Sequence, residues 1–388
     1  MGIESRRAAT RPKKASPPIL SHEFIIQNHG DIMSCILMLV ILGFMFQITA
    51  PLAQIMVVPQ YNETIALPKD AEPQMYYRSG LRDLPSLFFY TIAWITAHCI
   101  LQEYILDKIQ RRLHLSKTRM SKFNESGHLF AFCAYSAGHA GYILHEMGIH
   151  KDVTQLWIGY PDVHRYLPLT VKIFFILQIT YWLHQFPEFY FMKVKREEIR
   201  ARTFYSVVFL LLISGAYFAS FTRLALVLLF LEYTSQAIFH LTRVLYFTGK
   251  IKNAGNAFKL WNAIFVIVRF ASVVLSVLTL WYGFRSNETP VIDFATGNFN
   301  TSLIRINSLI IVVGLQIFML WNFFVFHFAR FRERHRESET AQQKHKKQKH
   351  AKKVRDDKHK KQKHAKKVRD DSKDSSDSGN ESTSKKVK

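Results

Sequence analysis

The sequence predicts an all-α, polytopic membrane protein with eight transmembrane helices. Three observations predict it. Apolar residues make up 48% of the 388 positions, 32 of them phenylalanine. They recur in long runs from residue 32 to residue 328, a pattern too blocky for a soluble core. Lys and Arg gather in alternate connections between those runs.

The elements follow in order. Residues 1–30 carry Arg6, Arg7, Arg11, Lys13 and Lys14 against Glu4 and Glu23, which makes a basic cytosolic segment. Met1-Gly2 opens a myristoylation pattern, but Arg6 stands where that pattern needs Ser or Thr. Ile32–Val58 is too long for a signal-peptide core and reads as a signal-anchor helix, with an early end near Thr49 because Pro51 follows. The polar segment 59–83 contains the sequon Asn62-Glu63-Thr64. The second span is Leu84–Leu106, and the connection Asp107–Lys122 has six Lys/Arg. The third is Ser126–Met147, where Ala134, Gly138 and Gly141 permit close helix contact. Spans four to eight are Leu167–Phe186, Thr203–Thr222, Leu224–Phe247, Leu260–Phe284 and Leu303–Phe328. Cys35, Cys99 and Cys133 each fall inside an apolar run without metal-ligand spacing, so they read as small core residues and imply no metal or cofactor.

Loop charge fixes the orientation. The N-terminus and the even connections carry five, six, five and three Lys/Arg, and the odd connections three, two, one and one. Positive charge stays on the cytosolic side, so both termini are cytosolic. Asn62, Asn287 and Asn300, the sequon asparagines, then fall in the lumen. Asn287 and Asn300 sit close to span ends, which leaves Asn62 as the expected glycosylation site.

Span six carries Glu232, Gln236, His240 and Arg243 at i, i+4, i+8 and i+11, on one helical face. Charges at membrane depth face a bundle interior or a wet cavity. Glu232 lies about 12 Å below the lumenal end of its span at ~1.5 Å per residue. Arg269 in span seven lies about 13 Å from the cytosolic end by the same rise, so the two meet near the midplane of a ~30 Å core. Pairing of Glu232 with Arg269 is therefore expected. The polar line is either a structural seam between helices or the lining of a cavity that receives lipid or peptide.

From Arg330 onward the chain has 22 basic and 10 acidic residues, which accounts for about half of the net charge of +23. K-H-K-K-Q-K-H-A-K-K-V-R-D-D at 344–357 recurs at 358–371. With no apolar face, residues 330–388 are expected to be disordered. Such a polycation attracts phosphate, either in ribosomal RNA or in anionic lipid headgroups. Lys385 and Lys386 in the final K-K-V-K fit a dilysine retrieval signal of the endoplasmic reticulum.

Two family resemblances add to this reading. R-E-E-I-R-A-R-T-F-Y at 196–205 followed by L-V-L-L-F-L-E-Y-T-S-Q at 226–236 resembles the heart of the TLC superfamily, the membrane fold of ceramide synthases. In the synthases a His-His pair and an H-D-x-x-D pattern are associated with acyl transfer. The matching positions here hold Phe204 and Tyr205, then Glu232, Tyr233 and Gln236. Phenylalanine carries no proton, and tyrosine with a pKa near 10 is a poor base at pH 7. S-H-E-F-I-I-Q-N-H-G-D-I (21–32), Q-E-Y-I-L-D-K-I (102–109), S-K-F-N-E-S-G (121–127), W-L-H-Q-F-P-E-F-Y-F (182–191) and T-G-N-F-N (296–300) resemble the TRAM family, translocating chain-associated membrane proteins.

That resemblance covers residues 20–330 and implies two N-terminal spans with a lumenal loop (31–116) before a six-helix TLC domain (117–329). It implies a non-enzymatic helper in the endoplasmic-reticulum membrane. Its partners would be the protein-conducting channel, nascent secretory and membrane chains, and membrane lipids. Two alternatives stay open: a lipid-binding or lipid-remodelling TLC protein, or an acyltransferase with His184 or His240 as replacement base.

Overall fold

The computed structural model describes residues 18, 21–68 and 70–374. The basic segment 1–17 and the retrieval residues Lys385 and Lys386 lie outside the described residues. The chain divides into two compact units, Met1–Ile317 and Phe318–Lys388.

The first unit is almost entirely helical. Helix α1 (His22–Leu42) starts ten residues before the expected span, because Ser21 caps it: its hydroxyl accepts from the Phe24 N–H at 3.2 Å. It ends at Gly43, earlier than Thr49, and a short helix α2 (Ala50–Val57) follows. Pro51 does not so much end α1 as begin α2, since proline suits the first helical turn, whose N–H groups have no intrahelical partner. The segment 59–83 departs from an all-α class by one antiparallel hairpin, β1 (Asn62–Ile65) against β2 (Gln74–Tyr77). Helix α3 (Leu84–Ile100) passes through a π-helical turn, Leu101–Leu106, into α4 (Asp107–Leu113). Then come α5 (Lys117–Glu146), α6 (Leu169–Phe191), α7 (Arg196–Phe218), α8 (Thr222–Phe247) and α9 (Ile251–Ser276).

The core lies where α5, α6, α7 and α8 meet. Phe132, Ala140, Ile143, Phe174, Phe175, Tyr217, Leu226 and Tyr233 are all buried there. Of the three small residues expected to bring helices together, Gly141 does so: a Cβ there would stand 3.1 Å from the Phe230 ring on α8. A Cβ on Gly138 would meet nothing, and Ala134 is exposed. Outward, apolar side chains are bare. Leu39 is 67% exposed and Leu211 66%, as expected where lipid rather than water surrounds the bundle.

A buried clasp ties the hairpin segment to the bundle. Lys172 on α6, fully buried, stands 2.8 Å from Asp83 Oδ1 and donates to the carbonyls of Gln60 (2.8 Å) and Arg78 (2.7 Å). Tyr217 on α7 donates to the other Asp83 oxygen at 2.8 Å. The Lys172 ammonium is thus held by two carbonyls and by its ion pair with Asp83 Oδ1, which accepts no hydrogen bond, so the buried charge is paired.

Among the described residues, six stretches are long and apolar enough to cross a membrane: His22–Met45, Leu81–Leu113, Arg196–Phe218, Thr222–Phe247, Ile251–Asn287 and Ser302–Thr340. Helices α5 and α6 occupy the two remaining expected spans and are also long enough, but lie outside that apolar set.

Helix α10 (Ser302–Asp374) runs from the end of the first unit through the described part of the second. Over residues 330–374 this differs from the disorder expected for 330–388, and residues 375–388 lie outside the described residues. Between Leu315 and Asp374 there is neither Gly nor Pro, and Lys, Arg, Gln, Glu and Ala dominate. Local helix propensity suffices without an apolar face.

Candidate functional site

Besides the buried clasp, two arrangements of polar side chains in the first unit are candidate sites. The first is the seam. Arg269 on α9 is 1% exposed and pairs through Nη2 with Glu232 Oε2 on α8. Its Nη1 donates to Gln316 Oε1 on α10 at 2.8 Å. Gln236, one turn along α8, donates to the second Glu232 oxygen at 2.8 Å. The guanidinium also lies 4.8 Å from the centre of the Phe265 ring. Carboxylate and guanidinium thus have partners on both sides, and three helices share them.

The line stops there. Buried His240 Nδ1 finds no hydrogen-bond partner. Arg243 turns instead to α5, with Nη2 3.5 Å from Glu125 Oε2. Arg202 on α7 reaches the other Glu125 oxygen at 2.8 Å. Glu232, Gln236 and Arg269 are therefore brought together, while His240 and Arg243 belong to other neighbourhoods.

The second arrangement is a cavity of about 980 Å³ among α3, α5 and α6, reaching the start of α7. None of the seam residues lines it. One end is aromatic and apolar, with Trp94, Phe132, Leu177 and Tyr181 and the half-exposed Tyr135. His98, His128, His184 and Glu188 form a polar belt across its middle. The His98 and His128 rings stack with centres 3.6 Å apart, and His128 Nε2 lies 2.9 Å from Gln102 Oε1. His184 Nδ1 faces the Tyr181 carbonyl. His98 Nε2 stands 3.3 Å from Glu188 Oε1 without the alignment of a hydrogen bond, and neither Glu188 oxygen accepts one from the protein. At the mouth lie Lys122, Glu125, Lys193, Lys195, Glu198 and Arg202.

The belt was only partly foreseen. His184 stood out as a lone histidine in an apolar run, whereas His98, His128 and Glu188 come from three helices whose convergence no linear spacing shows. Among the described residues no group of three or more His, Cys, Asp or Glu side chains is arranged to hold a metal ion. The two positions that match the synthases' His-His pair do not reach the cavity: Phe204 is 58% exposed and Tyr205 43%, on the outer side of α7.

Over residues 122–325 the chain matches the TRAM/LAG1/CLN8 family, described as a TLC domain. It is 40% identical over 325 residues to translocating chain-associated membrane protein 2 of Mus musculus, an alignment that spans 84% of this chain and 86% of the relative. The chain belongs to the TRAM family. The human translocating chain-associated membrane protein 2 is 39% identical over the same shares of both chains. Sphingosine N-acyltransferase LAG1 of Saccharomyces cerevisiae is more distant, 24% identical over 64% of this chain and 61% of its own. This member of the TRAM family is thus a multi-pass membrane protein with a TLC domain. The matched stretch includes α5 through α9 and the first part of α10, while α1 to α4 lie outside it.

Proposed function

We propose that this chain is a non-enzymatic accessory factor of protein translocation at the endoplasmic-reticulum membrane. It would help signal sequences and transmembrane segments of nascent chains to enter or leave the protein-conducting channel. The observation that carries this reading is the 40% identity, over most of both chains, to a protein named as translocating chain-associated. The exposed Phe204 and Tyr205 support the absence of acyl-transfer chemistry, because no proton-moving pair stands where the synthases have theirs. Eight spans with both termini cytosolic complete the reading, α5 and α6 crossing as moderately polar helices shielded by their neighbours.

A signal-bearing nascent chain, stalled on the ribosome and carrying a photoreactive residue in its apolar segment, tests this. Crosslinks to this chain are expected in membranes that contain it. Crosslinks to the channel without any to this chain would overturn the proposal. The basic stretch beyond residue 330 is proposed to add ribosomal or lipid phosphate contacts. Deleting 340–388 is expected to weaken ribosome association most at low salt, where counterion release is largest.

The cavity favours a second, compatible reading, that the chain binds lipid. Its aromatic depth and polar belt match what an amphiphile presents, and pockets near this volume suit single ligands.

A further inference from the structure

The cavity among α3, α5 and α6 is layered, and the layers follow each other by about one helical turn. On α6 the order is Leu177 and Tyr181, then His184 and Glu188, then Lys193 and Lys195 just past the helix end. On α5 it runs the other way, from Lys122 through His128 to Phe132 and Tyr135. Apolar depth, polar belt and charged mouth therefore stack in one direction.

The mouth has spare positive charge. Glu125 and Glu198 are each engaged twice or more, by Lys122 (3.2 and 3.8 Å), by Arg202 (2.8 Å to both), and Glu125 also by Arg243. Lys193 and Lys195 are exposed beside them. An anionic group suits this end.

The belt has a spare acceptor. Glu188 is 4% exposed and neither of its oxygens accepts a hydrogen bond; His98 Nε2 stands 3.3 Å from Oε1 out of line for one, and Oε2 has no such neighbour. A buried polar group left unpaired is costly, so the site calls for a donor from outside the protein. Diacyl phospholipids carry no donor between chain and phosphate. A lipid with one chain and a free hydroxyl or amine at that point does.

We propose that this cavity binds a single-chain amphiphile whose hydroxyl or amino group, placed between chain and phosphate, donates to Glu188. The chain lies against Trp94 and Phe132, and the phosphate meets Lys193 and Lys195. A lysophospholipid supplies the hydroxyl, and a sphingoid phosphate the amine. The proposal rests on the lipid-binding reading and narrows it to a ligand class.

Trp94 provides the probe. The purified full-length chain in maltoside detergent is titrated with lysophosphatidic acid brominated along its chain, and tryptophan quenching is followed. Quenching should disappear in Trp94→Phe. Brominated diacyl phosphatidic acid should need roughly tenfold higher concentration, the worth of one hydrogen bond left unmade at a buried acceptor. Glu188→Leu should erase that preference, and Glu188→Gln, which keeps an acceptor, should retain most of it. Sphingoid phosphate carries both a hydroxyl and an amine there and should bind at least as well as lysophosphatidic acid; tighter binding would assign the donor to the amine. Monoacylglycerol, which lacks the phosphate, should bind more weakly, and its binding should not change with salt.

Equal binding of the two brominated phosphatidic acids by the wild-type chain overturns the ligand class and leaves the lipid-binding reading standing. So does a preference that survives Glu188→Leu, because chain number alone would then explain it. No quenching by either lipid, or quenching unchanged in Trp94→Phe, sinks the lipid-binding reading itself.

Discussion

The Glu232–Arg269 pair offers the sharpest test of the bundle. Glu232→Gln leaves a guanidinium that is 1% exposed without its carboxylate partner, facing the amides of Gln316 and of the new glutamine. Arginine has no accessible neutral form in proteins, so the charge stays. Arg269→Gln leaves a carboxyl that keeps the bond from Gln236 at 2.8 Å and can accept another from the new amide. Removing one partner of a buried pair costs about 3–5 kcal/mol. Glu232→Gln should lie at the upper end of that range and Arg269→Gln at or below the lower end. The double variant places two amides face to face, which can hydrogen-bond to each other. It should therefore lose less than the sum, with a coupling of about 2–3 kcal/mol. Thermal melts of the four proteins in one detergent, corrected to free energies, measure all of these terms. Additive losses, or a larger loss for Arg269→Gln than for Glu232→Gln, would refute the reasoning.

Three further outcomes follow. Asn62 is exposed on β1, whereas Asn300 is fully buried with its amide donating to the Phe284 carbonyl at 2.5 Å. Asn62→Gln should abolish the glycan-dependent gel shift, and an unchanged shift would count against a single lumenal glycan there. Membranes containing the chain, given sphingoid base and acyl-CoA, should form no amide product above blanks, and product lost in His184→Ala would contradict that. His164, in the loop between α5 and α6, has its pKa pushed down to about 3 by burial and then by the charge of Arg223. It is neutral when folded and binds a proton below about pH 6.5 when unfolded, so stability is full above pH 6.5 and falls toward pH 3. Between pH 6.5 and 5 the loss should approach roughly 2 kcal/mol. His164→Gln, whose amide nitrogen takes the place of Nε2 toward the Ile158 carbonyl, should flatten that slope, and an equal slope in both proteins would remove His164 as its source.

How much of this was legible in the sequence depended on whether the signal was local. The apolar runs placed the cores of all the long helices, because a run of about twenty apolar residues has few other uses. Their ends were less legible: α1 begins at His22 through a cap on Ser21, and α5 begins at Lys117, nine residues before its apolar run. The Glu232–Arg269 pairing followed from depth alone, since both charges were counted inward from opposite ends. Gln316 was missed as one amide within an apolar run, although its burial could have been argued from that isolation. Lys172 carried a clearer clue, a lone charge just inside span four, and its partner Asp83 sat at the edge of span two. The belt of His98, His128, His184 and Glu188 depends on the convergence of three helices. The helical stretch beyond residue 330 went unseen because a missing apolar face argues against a packed core, not against a helix.

The central claim is that this chain eases the passage of nascent chains without performing chemistry on them. Proteoliposomes holding the protein-conducting channel alone, or the channel with this chain, can be supplied with ribosomes translating a secretory protein whose signal has a weakly apolar core. The measured quantity is the fraction of product protected from added protease. The account predicts a protected fraction that rises with the amount of this chain and is the same for wild type and His184→Ala. A fraction independent of the chain across signals of different strength would contradict it.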